Sequence, residues 1–77
     1  MTSYRIVFNK GVAVPDLSQN QRLLEVARIQ SQQEDGYLVS SKINDTDLRQ
    51  LIMDDYGLTK KDVLIGNMHF QPFSNLY

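Results

Sequence analysis

Residues 44–57, NDTDLRQLIMDDYG, constrain the fold more than any other stretch of this 77-residue chain. Asn44 stands where a helix N-cap belongs, and Asp47 follows it three residues on. The side chain of a capping Asn satisfies a backbone N–H that the first turn leaves without a partner. Asp45 and Asp47 favour the positive end of the helix, and Gly57 suits the left-handed residue that closes one. Leu48, Leu51 and Ile52 fall on one stripe, extended by Tyr56. A helix with a single apolar stripe needs an apolar surface to lie on. The flanking sequence predicts that this surface is a sheet.

Three segments have strand character. SYRIVFN, residues 3–9, alternates Tyr4, Ile6 and Phe8 against Arg5, Val7 and Asn9. YLVSSKI, residues 37–43, and VLIGNMHF, residues 63–70, are rich in the β-branched and aromatic side chains that fit a pleated surface. Within the last, Gly66 suits a bulge or a close backbone approach, and at Pro72 the strand ends or becomes an edge, since proline cannot donate to a ladder. NKG at 9–11 marks a turn, after which VAVP is either a short return strand or an extended linker ended by Pro15. LTKKD offers Thr59 and Asp62 as a capped turn ahead of the third strand.

The intervening residues 16–36, DLSQNQRLLEVARIQSQQEDG, admit two readings. Ser18 and Gln21 fit a capping box, and residues 19–33 are dominated by Gln, Arg, Leu, Glu and Ala, which lose little entropy in a helix. The competing reading makes residues 22–31 a strand paired to YLVSSKI across QQEDG. Helix propensity and length favour the helix. The expected order is β-α-β-α-β in one domain over residues 1–77: an α+β or small α/β fold with a three- to four-stranded sheet packed by two helices. Parallel neighbours would need right-handed crossovers.

Composition narrows the chemistry. The chain has no cysteine, which excludes disulfides, thiolate metal sites and thiol nucleophiles. A chain this small buries only about 60–65% of its surface, and small secreted domains of that kind usually carry disulfides. An intracellular, cytoplasmic setting is therefore expected. The N-terminus lacks the charged and apolar regions of a signal peptide. No apolar run approaches the ~18 residues of a membrane span.

His69 is the only imidazole. It has no second histidine or cysteine to share a metal, and no G-x-S-x-G elbow accompanies it. A strand histidine explains it without catalysis. Asp45 and Asp47 form a D-x-D pair of the kind that can hold a divalent cation, but the glycine and glutamate of a calcium loop are missing, and helix capping accounts for both. Gly11, Gly36, Gly57 and Gly66 fit no phosphate-loop spacing. No cofactor and no catalytic residue is called for, so an enzyme is not the expectation.

Charge distribution says more than the net charge of −1. From 34 to 56 six acids (Glu34, Asp35, Asp45, Asp47, Asp54, Asp55) face two bases (Lys42, Arg49), so this segment carries −4 and the rest +3. Asp54 and Asp55 stand in the last helical turn, where the dipole disfavours acids. Local rules broken without visible gain tend to mark functional positions. Asp47 and Asp54, seven apart with Gln50 between, form an acidic stripe flanked by Asp55. Such a stripe is a solvated face or the complement of a basic surface on a protein, including one built to handle nucleic acid.

The closing residues HFQPFSNLY bring Phe70, Phe73, Leu76 and Tyr77. They complete a thin core, anchor a partner or close a homodimer. The leading expectation is a small non-catalytic binding protein, an inhibitor or accessory factor of the kind phages and mobile elements carry. It would use Asp47, Gln50, Asp54 and Asp55 with an apolar anchor of Phe70, Phe73 and Tyr77. The second expectation is a nucleic-acid-binding module using Lys60, Lys61, Arg22 and Arg28, with the aromatic end of the last strand as a stacking platform. It lacks the glycine- and aromatic-rich motif of the common RNA-recognition fold.

Overall fold

The structure, a computed structural model, describes residues 1–67. It is an α+β fold, a four-stranded antiparallel sheet packed by two helices. Strand β1 spans Thr2–Phe8 and a single 3-10 turn spans Leu17–Gln19. Helix α1 spans Gln21–Val26, and β2, Ala27–Gln33, follows it without a break. Then come β3, Gly36–Ser41, helix α2, Asp45–Tyr56, and β4, Val63–Asn67. The strands lie in the order β2-β3-β1-β4, every neighbour antiparallel. A β-α-β-β-α-β chain with this strand order has the connectivity of the split-βαβ, or ferredoxin-like, arrangement.

Both readings of residues 16–36 are partly right, and the long helix is corrected. The helix stops after six residues at Val26, and the backbone is extended from Ala27, at φ −147° and ψ 158°. From there Ala27 and Ile29 point into the core and Arg28 points away, a period of two rather than 3.6. Tertiary pairing outweighs the helix propensity of the glutamines, because β3 offers a full ladder from Ala27–Ser41 to Gln33–Gly36. One register shift lies between Ile29 and Ser31, leaving Gln30 as the extra residue of a bulge. The expected bulge at Gly66 is not there: the β1–β4 register runs unbroken from Phe8–Val63 to Tyr4–Asn67. VAVP is not a strand, although Val12 and Val14 pack against the core.

Caps differ in the same instructive way. Asn44 caps α2 as its position predicts, accepting from the Asp47 N–H at 2.7 Å. Gly57 closes that helix at φ +64°, a conformation that costs glycine little. Thr59 N–H donates to the Asp62 carboxylate at 2.9 Å, forming the capped turn before β4. For α1, however, the cap is Asn20, accepting from the Leu23 N–H at 3.0 Å, and not the expected Ser18. The Ser18 hydroxyl instead donates to Asp16, which caps the 3-10 turn.

The core lies between one sheet face and the helices. Ile6 and Phe8 of β1, Tyr37 and Val39 of β3, Ala27 of β2 and Val63 of β4 meet Leu17, Leu23, Leu48 and Ile52 from above. The Tyr37 hydroxyl donates to the Pro15 carbonyl at 2.7 Å and accepts from the Leu17 N–H at 3.3 Å. A buried phenol thereby fixes the loop that leads into α1. Both helices cover the same face, so among the described residues the opposite face of the sheet has no helix on it.

Candidate functional site

Helix α2 carries four of the seven residues of the expected site, Asp47, Gln50, Asp54 and Asp55. Leu48 and Ile52 face the sheet and are fully buried. Asp55 lies seven residues from Leu48 and three from Ile52, which puts it on the buried side of the helix. Asp47, Gln50 and Asp54 lie on the opposite side and are all exposed. The helical repeat thus separates the four expected residues into three that face outward and one that faces inward.

Asp55 is part of a polar seam between the two helices. Its Oδ1 accepts from Arg22 at 2.5 Å and its Oδ2 from the Asn20 side-chain amide at 2.9 Å. The same Asn20 amide donates to the Tyr56 hydroxyl at 3.1 Å. Asn20 therefore serves two helices at once: its oxygen caps α1 and its nitrogen ties that cap to the last turn of α2. The ion pair is lopsided, with the Asp55 side chain 15% exposed and Arg22 64% exposed. The acid in the unfavourable last turn thus has a structural use, and the broken dipole rule at Asp55 is explained by packing.

Asp54 and Asp47 are in a different situation. Gln50 donates to Asp54 at 2.8 Å, an i,i+4 contact along the outer face. Among the described residues the ion pairs are Arg5–Asp35 and Arg22–Asp55, and neither involves the stripe. Arg49, the one base on α2, is directed elsewhere: its Nε donates to the Val63 carbonyl at 2.9 Å and another guanidinium nitrogen to the Lys60 carbonyl. It ties the helix to the start of β4 and forms no ion pair with the stripe. Asp45, at the first turn, accepts from the neighbouring Thr46 N–H at 2.9 Å. Among the described residues no group of three or more His, Asp or Glu is placed to hold a metal ion.

The four cations of the nucleic-acid reading are not brought together. Arg22 is bound to Asp55 on the helix side. Arg28, opposite Ser40, sits on the uncovered sheet face of the edge strand β2. Lys60 and Lys61 stand in the turn before β4, the other edge strand. The uncovered face also lacks stacking surfaces among the described residues. Alternation places Ser3, Arg5 and Val7 of β1, and Gly36, Leu38 and Ser40 of β3, on that face. Tyr4, Phe8 and Tyr37 all lie on the face the helices cover.

His69, Phe70, Phe73 and Tyr77 lie outside the described residues. No helix among those described is long and apolar enough to cross a membrane. What sequence reading missed is Asn20, the bridging residue. Its signal was its position just before QRLL, a better capping site than Ser18 once the helix is known to be short. Reading Leu48, Ile52 and Asp55 as one i, i+4, i+7 series would likewise have placed Asp55 inward. No protein-family model matches the chain, no curated protein matches it, and no solved structure matches it.

Proposed function

We propose that the protein is a small, non-catalytic binding factor, an inhibitor or accessory protein, that meets a partner with a basic surface through the outer face of α2. Asp47, Gln50 and Asp54 form the contact, and Asp55 holds the helix that presents them. One observation carries the reading: two exposed carboxylates on one helix face form no ion pair among the described residues, while the helix's own arginine is turned to backbone carbonyls. Uncompensated charge of one sign speeds encounter with a surface of the opposite sign and selects against like-charged partners. A rigid helix, capped at both ends, presents that charge with little ordering cost on binding.

In this reading the protein works in the cytoplasm, where a chain without cysteine has no need of oxidation. Its size and lack of catalytic groups suit a factor carried by a phage or another mobile element. The partner's basic surface is one that handles nucleic acid, which the acidic stripe would imitate or block.

The test is a double charge reversal, Asp47→Lys with Asp54→Lys, in the tagged full chain. Recovery of the partner should fall at least tenfold while the melting temperature stays within a few degrees. Reversal of Glu34, at the exposed hairpin tip away from the stripe, should leave recovery unchanged. Equal recovery by the stripe variant and the parent chain would remove α2 from the interface. A mobility shift of labelled single- or double-stranded nucleic acid at low salt, lost as salt rises, would instead support direct nucleic-acid binding.

A further inference from the structure

The face of the sheet away from the helices holds an unexplained burial. Val7, Leu38 and Leu64 share that face, since Val7 pairs with Leu64 and Gly36, and Leu38 lies one ladder step away opposite Arg5. Neither helix covers it. Nevertheless Val7 is only 2% exposed, and Leu38 and Leu64 are half-buried. The large apolar side chains that stand exposed among the described residues are Met1 and Leu24, and Val7, Leu38 and Leu64 are not among them. Arg5, bound to Gln33 and Asp35, screens Val7 from the hairpin side. On the other side the neighbours are Leu64 and Gly66 of the edge strand, and Gly36 beside Val7 has no side chain to shield it.

We propose that this face is a docking surface and that its occupant is residues 68–77 of the same chain. The segment follows directly from β4, in which Leu64 lines the patch and Gly66 lies on the same face opposite Arg5. It carries no Asp, Glu, Lys or Arg, and it holds Met68, Phe70, Phe73, Leu76 and Tyr77. Ten residues reach about 33 Å when extended, and a four-stranded sheet is only about 14 Å across. The segment is therefore long enough to cross every strand, and apolar enough to gain by covering Val7, Leu38 and Leu64. The inference is independent of the reading of α2, which lies on the other side of the molecule.

The experiment uses the full chain in solution, with contacts measured between aromatic protons of Phe70, Phe73 and Tyr77 and methyl groups of Val7, Leu38 and Leu64. Mixing labelled and unlabelled chains separates contacts within a chain from contacts between chains. Contacts within one chain, unchanged on tenfold dilution, are expected. Because the parent chain has no cysteine, a Leu38→Cys, Phe73→Cys variant should also form an intramolecular disulfide under mild oxidation. Contacts found only between chains would make the occupant a second copy and overturn the proposal. The absence of contacts, together with water-accessible Leu38 and Leu64 methyls, would overturn it as well.

Discussion

Asp54 and Asp55 are adjacent acids in the same helical turn, and their circumstances are opposite. Asp55 is turned toward α1 and accepts from Arg22 and Asn20. Asp54 is turned to solvent and, among the described residues, accepts only from Gln50 on its own helix. A rotation of about 100° per residue is the whole difference. It makes one carboxylate part of the fold and leaves the other available to a partner. Two acids that look like one feature in the sequence are thus two devices, a seam and a stripe.

The seam should be sensitive to mutation and the stripe indifferent, which gives an ordered set of stability measurements. Asn20→Ala should have the largest effect. It removes the cap of a six-residue helix and both bonds to α2, costing about 2–3 kcal/mol in denaturant unfolding, since a cap alone contributes about 1. Asp55→Ala should follow at about 1–2 kcal/mol, because it leaves the Asn20 amide short of a partner in a half-buried place. Arg22→Ala should cost well under about 1 kcal/mol, since an arginine this exposed gains little from its ion pair. Asp47→Ala and Asp54→Ala should be smallest, within about 0.5 kcal/mol of the parent. For Asp54 a slight gain is expected, because its charge opposes the helix dipole. A stripe variant as damaging as Asp55→Ala would erase the distinction between the two devices.

The sequence revealed these parts unequally, for physical reasons. Helix α2 was legible from cap to cap because its signals are local: Asn44 and Asp47 at one end, Gly57 at the other, and a stripe between. Strand β1 was legible because Tyr4, Ile6 and Phe8 alternate onto the face the helices cover, although the alternation did not reveal that Val7, on the other face, is buried as well. Residues 19–33 were not, because composition and pairing conflict there. Glutamine, arginine and alanine favour a helix, whereas Ala27 and Ile29 gain more by alternating against β3. The ladder that decides the outcome is a contact between segments, and no window over residues 19–33 contains it. The same holds for Asp55: its partners Asn20 and Arg22 are more than thirty residues away. The helical period alone carried the news that it faces inward.

Gly36 shows how far such non-local contacts reach. A Cβ there would stand 1.8 Å from the Ile6 carbonyl oxygen. The residue after the hairpin turn is therefore restricted by the backbone of a strand thirty positions earlier. In the sequence this glycine marks only the end of the preceding element.

The most direct test of the distinction compares Asp54→Lys with Asp55→Lys, measuring melting temperature and partner recovery on the same preparations. Asp54→Lys should keep the parent's melting temperature and lose most of the recovery. Asp55→Lys should melt several degrees lower and, assayed well below that temperature, still recover the partner. Full recovery by Asp54→Lys, or an equal fall in melting temperature for both variants, would contradict the assignment of one carboxylate to the fold and the other to the partner.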